Sequence, residues 1–156
     1  MLRKKSKRHF YIVTVIVVLL VIWTAWSNTT VGITHYTVAS DKLPASFDHY
    51  SIVVVSDLHN AEFGENNSQL IKLIEKEKPD IIVITGDLVD SNKTNIDIAQ
   101  KLVGTLTGIA PCYYVTGNHE AWLGEQYQEL ESILLDEGVA ILHDRAVQLI
   151  KNTESI

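Results

Sequence analysis

Ile81-Ile82-Val83-Ile84-Thr85-Gly86-Asp87-Leu88-Val89-Asp90 decides the fold. An unbroken run of β-branched residues closed by turn formers reads as a strand buried on both faces, the kind found in parallel sheets. The same grammar recurs on either side. Upstream, Ile52 to Val55 ends in Ser56-Asp57-Leu58-His59; downstream, Tyr113 to Thr116 ends in Gly117-Asn118-His119-Glu120. Helical spacing fills the intervals. Leu70, Ile71 and Ile74 follow Asn67 as a cap and stop before Pro79, and Ala99, Leu102, Val103 and Leu106 follow Thr94 or Asn95 and stop at Pro111. Tyr127, Leu130, Ile133 and Leu134 share one side of a segment from about Glu125 to Asp136, with Gly138 beyond its end. Val139 to Leu142 reads as one more strand, left through His143-Asp144. Alternating strands and helices predict an α/β domain with a parallel sheet, and the three polar clusters then gather at the carboxyl ends of neighbouring strands.

The clusters share metal-ligand chemistry. Asp57 and His59, two residues apart at a strand end, could point to one side and chelate one ion. Asp87 could bridge that ion to a second, Asn118 could offer its amide oxygen to the second, and His119 would be left to meet a substrate. Paired cations roughly 3.5 to 4 Å apart suit phosphate-ester hydrolysis, because they polarise phosphoryl oxygens and make a nucleophile at neutral pH. Taken singly, each cluster reads equally as a turn or a helix cap. Their order, each at a strand end, is what carries the reading.

Asp-x-His, Gly-Asp-x-x-Asp and Gly-Asn-His-Glu in this order, with the text around them from about His49 to Ile141, resemble the calcineurin-like metallophosphoesterases, in particular their membrane-anchored bacterial branch. The resemblance implies the N-terminal half of a four-layer α/β/β/α sandwich and a centre of two divalent metal ions such as Mn, Fe or Zn. It implies Asp57, His59, Asp87 and Asn118 as metal ligands, with Asp87 bridging, and His119 as the acid or charge stabiliser at the leaving oxygen. Asp90 and Glu120 become groups that orient the ligating loop or the histidine. Some members of that branch cleave lipid-linked phosphodiesters or pyrophosphates, which implies a phosphoester substrate of that kind.

The family pattern continues with a lone histidine and a Gly-His-x-His-like pair, and this sequence runs to Ile156 without them. His143 comes too early and reads as structural; His9, His35 and His49 precede the first motif. The expectation is a C-terminally incomplete domain, a truncated product or a fragment of a longer gene. Alone, it would hold one ion loosely and the second poorly, with feeble or absent turnover and an exposed apolar sheet face. The alternative function is a catalytically silent, membrane-tethered binding or regulatory fragment.

Outward to the N-terminus, Arg3, Lys4, Lys5, Lys7 and Arg8 precede an apolar run from Phe10 to Trp26. Aromatic residues at both ends and a basic leading flank predict a transmembrane signal anchor with its tail in the cytoplasm. A cleavable signal peptide competes, but Thr24-Ala25-Trp26 makes a poor cleavage site. The expected organisation is a basic cytoplasmic tail (1–9), a single-pass anchor (10–26), a linker containing an entry strand at Ile33 to Val38 (27–48) and the phosphoesterase domain (49–156) on the outer side of the cell membrane. Past residue 9 the chain has 8 Lys plus Arg against 19 Asp plus Glu, a net charge of −11. Such an acidic domain lacks the basic surface that grips nucleic acid, and no glycine-rich nucleotide loop is present. Cys112 stands alone and forms no internal disulfide. No partner protein is legible.

Overall fold

The computed structural model describes residues 2–156, with side chains described from residue 7 onward except at residue 28. Two units are distinct, residues 1–32 and residues 33–156. The first is the helix α1 (Leu2–Thr29) and its exit. Within it Lys7–Ser27 is long and apolar enough to cross a membrane. No Gly or Pro interrupts it, and Thr14 and Thr24 donate their hydroxyls to the carbonyls of Phe10 and Leu20. Those bonds satisfy the only side-chain polar groups inside the run from Phe10 to Trp26 apart from the Tyr11 hydroxyl and the indoles, as an apolar solvent requires. Of the basic tail, the side chains of Arg3, Lys4 and Lys5 lie outside the described residues, and Lys7 and Arg8 are exposed.

In the second unit β1 (Ile52–Val55), β2 (Ile81–Ile84), β3 (Cys112–Tyr114) and β4 (Ala140–Ile141) form a sheet in the order β1-β2-β3-β4. All three pairings are parallel, with Val54 beside Val83, Val83 beside Tyr113 and Tyr113 beside Ala140. The crossovers are α2 (Ser68–Glu77), α3 (Ile96–Leu106) and, after a short α4 (Asn118–Ala121), α5 (Gln126–Asp136). Because the strand order never reverses, right-handed crossovers place the three long helices on one face. Ile82, Ile84, Tyr114, Leu102, Val103, Leu106, Leu130 and Leu134 are completely buried between that helical layer and the sheet.

The alternate side chains face the other way. Ile52 and Val54 are 49% and 60% exposed, and Val83, Tyr113 and Ala140, on the same face, are only partly covered. Residues paired in parallel register point to one side, so this is a continuous apolar face, and within residues 33–156 it is buried only at Ile81, the register partner of Ile52. These are one helical layer and one sheet of the anticipated sandwich. At the opposite edge from the polar clusters, a hairpin of β5 (Ile150–Lys151) and β6 (Glu154–Ser155) folds back. Lys151 pairs with Asp80 at 3.1 Å and lies over the Tyr50 ring, while the Ser46 amide donates to Glu154.

Two expectations need correction. Ile33 to Val38, anticipated as an entry strand, forms no strand; Tyr36 and Val38 are each 87% exposed, and no neighbouring strand offers a ladder, without which β-forming side chains do not make one. Asn67 does stand at the start of α2, but its backbone is left-handed and its side chain turns back to accept the Phe63 amide at 2.9 Å rather than capping the helix.

Candidate metal centre

The strand pairing of β1 with β2 continues past the strand ends. Asp57 N–H donates to Gly86 O, His59 N–H to Asp87 O at 2.9 Å and Asn60 N–H to Leu88 O, so the first two polar loops are zipped together. Asp57, His59, Asn60 and Asp87 all have positive φ, between 48° and 60°. Non-glycine residues tolerate that conformation only where their surroundings hold them in it, and clusters of it mark ligand sites. The third loop is admitted by two glycines back to back. A Cβ on Gly86 (φ +91°) would stand 2.2 Å from the Gly117 nitrogen, and a Cβ on Gly117 would stand 2.2 Å from Asp87 Oδ1.

This backbone brings His59, Asp87 and His119 together, with Asp57 beside His59 alone. His59 Nε2 lies 3.9 Å from Asp57 Oδ1 and 3.9 Å from Asp87 Oδ2. That is too long for a hydrogen bond but suits two donor atoms sharing a cation about 2.0–2.2 Å from each. His59, Asp87 and His119 each present a ligand atom within 4.8 Å of the others, and the two imidazoles meet edge to face at 4.4 Å. Carboxylate and imidazole donors of this kind fit a divalent transition metal. Asp57 is the open side of the cluster, with a side chain 67% exposed against 11% for Asp87; its carboxylate also takes the Ser56 hydroxyl. Asn118 is the first residue of α4, exposed, and its side chain has no hydrogen-bond partner among the described residues.

His119 is fixed from both sides. Its backbone N–H donates to Asp87 Oδ1 at 2.8 Å, and its Nδ1 accepts the Ser91 amide at 3.0 Å, with Asp90 Oδ1 3.7 Å away. A ring nitrogen that accepts an amide proton carries none, so the hydrogen of the neutral imidazole sits on Nε2. Asp90 is itself held by the Asn92 amide, which keeps its carboxyl below the ordinary carboxylate range, with partial burial opposing it. The Ser91 hydroxyl also lies 3.2 Å from His119 Nδ1, and no motif in the sequence singled Ser91 out.

Glu120, 1% exposed, has the densest set of partners. Its Oε2 accepts the amides of Asp87 and Gly117, both at 2.7 Å, and its Oε1 accepts Leu88 at 2.8 Å and Val89 at 3.3 Å. A carboxylate in such a nest needs no cation nearby to be soluble in the interior. Below it the Tyr114 hydroxyl is buried, and burial first, then Glu120, pushes its ionisation upward. The other histidines lie elsewhere: His143 pairs with Glu131 at 2.5 Å, His35 with Glu77 and His49 with Asp48. Cys112 is buried, its thiol pushed up to about 11 by desolvation.

Residues 50–150, which carry all three loops, match the Calcineurin-like phosphoesterase family. The chain belongs to that family. Members of this metallophosphoesterase family are metal-dependent hydrolases of phosphoesters. Over 116 residues the chain is 34% identical to an uncharacterized metallophosphoesterase of Aquifex aeolicus, covering 73% of this chain and 43% of the relative. It is 29% identical over 149 residues to a transmembrane protein with metallophosphoesterase domain from Bos taurus, covering 94% and 33%. The metallophosphoesterase YkuE of Bacillus subtilis is 38% identical over 95 residues, covering 56% and 32%. The chain thus spans about a third to two fifths of these relatives.

Proposed function

We propose that the protein hydrolyses phosphate esters, phosphodiesters or pyrophosphates, at a two-metal centre to which this chain contributes one half, and that it does so outside the cell membrane, held by α1 with the basic tail in the cytoplasm. In this reading Asp57 and His59 hold one cation, Asp87 bridges, and Asn118 serves the second; remaining ligands come from the part of the relatives that this chain does not match. When bound, the cations polarise the phosphoryl oxygens and supply the nucleophile. The chain's own work is positional: the zipped loops aim the ligands, Asp87 orders the His119 backbone, and the Ser91 amide leaves the His119 proton on Nε2, from which it passes to the departing oxygen. A lipid-linked substrate would suit an anchored enzyme by analogy with relatives of the same branch.

The observation that carries the proposal is that His59 Nε2 lies 3.9 Å from each of the Asp57 and Asp87 carboxylates, beside a histidine whose Nδ1 accepts the Ser91 amide. Hydrolysis of bis(p-nitrophenyl) phosphate by the protein extended to the length of its relatives tests it. Turnover should stop with a chelator, return with Mn²⁺, and fall roughly 10²–10⁴-fold in His119→Ala. Turnover indifferent to chelation would overturn it. For the topology, alkaline phosphatase fused after Ile156 should be active; an inactive fusion with full expression would place the domain inside.

A further inference from the structure

Trp122 is the one tryptophan outside α1, and it is 65% exposed. Its position is not that of a loose surface residue. Its amide donates to the carbonyls of Asn118 and His119, Glu120 and Leu123 nearby in the sequence are 1% and 8% exposed, and its ring sits 5.2 Å from the His119 imidazole, tilted at 49°. Ordered backbone thus presents a large flat apolar group to solvent at the rim of the metal cluster. Tryptophan in such a place offers contact area at little conformational cost, with an apolar face wanting a partner.

We infer that Trp122 is a specificity-determining residue: it packs the organic group carried by the leaving oxygen, so that the preferred substrates are phosphoesters of bulky apolar alcohols. This rests on the reading of His119 as the group at the leaving oxygen, since the indole lies against that ring. Small polar leaving groups would leave the indole uncovered and gain nothing from it. An aromatic alcohol and an acyl or alkyl chain share the required apolar bulk.

The test is the affinity of the protein extended to the length of its relatives, in detergent and loaded with Mn²⁺, for methyl-, hexyl- and phenylphosphonate by titration calorimetry, in wild type, Trp122→Ala and Trp122→Phe, with Mn²⁺ binding itself followed separately by electron paramagnetic resonance. A stacked or covering aromatic side chain is worth about a five- to tenfold preference. The wild type should prefer hexyl- or phenylphosphonate over methylphosphonate by that factor, Trp122→Ala should lose the preference with Mn²⁺ binding unchanged, and Trp122→Phe should keep most of it. A larger gain for phenyl assigns an aromatic leaving group; a larger gain for hexyl assigns a chain. Equal affinities in the wild type, or a preference that survives Trp122→Ala, would overturn the assignment. Mn²⁺ binding with no phosphonate bound at all would instead remove the phosphoesterase reading on which it rests.

Discussion

Glu120 and Asp87 hold each other's loops. The Glu120 carboxylate accepts the Asp87 amide at 2.7 Å, and the Asp87 carboxylate accepts the amide of His119, Glu120's neighbour, at 2.8 Å. The position of the central carboxylate is therefore set by a second one that is itself buried. Glu120→Ala would strand four amides, and charge-assisted bonds of this kind are worth about 1.5–3 kcal/mol each without adding fully. We expect a loss of about 3 kcal/mol or more in urea unfolding of the domain, with Glu120→Gln intermediate because it keeps the shape and one acceptor. A change within about 0.5 kcal/mol, the usual range for an ordinary surface position, would mean that the nest does not hold the loops.

Gly117 is required for close approach and not for a left-handed turn, since it lacks a positive φ while Gly86 has one. Gly117→Ala places a methyl group where Asp87 Oδ1 stands, 2.2 Å away. The expected outcome is a domain that retains its helical circular dichroism but binds Mn²⁺ at least tenfold more weakly, because the carboxylate has to swing away. Unaltered Mn²⁺ affinity would show that this contact is dispensable.

At the far edge, Asp80 and Glu154 tie the C-terminal hairpin down. Amide donors, from Ser51 to Asp80 and from Ser46 to Glu154, hold both carboxyls below their ordinary values of 3.8 and 4.5, and Lys151 adds to the effect at Asp80. A carboxyl depressed in the folded state contributes stability that is present above its unfolded pKa and is lost as pH falls through the folded value. Amide exchange at Ile150 to Ser155 should accelerate below about pH 4.5 before exchange in β2 changes. Simultaneous loss of protection in both would show that the hairpin is not a separate acid-sensitive unit.

The open sheet face makes its own forecast. With Val54 60% exposed and Ile52 49%, the unit of residues 33–156, expressed without α1, should bind the hydrophobic dye ANS and self-associate through that face. Val54→Thr, which keeps β-branching, should reduce both while shifting stability by less than about 1 kcal/mol. A chain that neither binds the dye nor associates in sedimentation would contradict an uncovered face.

What the sequence disclosed and what it withheld follow from how far each interaction reaches along the chain. The strands at Ile52, Ile81 and Cys112 and the stripe Ala99, Leu102, Val103 and Leu106 were legible because periodicity is local. That His59, Asp87 and His119 would lie close together was legible because strand ends in a parallel sheet converge. The hold of Glu120 on the ligating loop was legible only as what the resemblance implied, and the four amides it grips and the hold of Ser91 on His119 were not, since backbone donors leave no trace in residue identity. Ile33 to Val38 misled because β propensity says nothing about whether a partner strand is available. The role of Asn67 misled in a related way: a left-handed backbone redirected a side chain whose residue type favours capping.

We propose that Asp57, His59 and Asp87 hold a divalent cation, and Mn²⁺ titration of the detergent-solubilised chain by electron paramagnetic resonance, with Asp87→Asn alongside, is the experiment that decides it. Asp87→Asn keeps the shape and removes the charge that both His59 and the His119 loop address. The account expects saturable binding in the wild type and a loss of at least tenfold in Asp87→Asn, with the fold intact by circular dichroism. No saturable binding in the wild type, or equal binding in the two proteins, would contradict it.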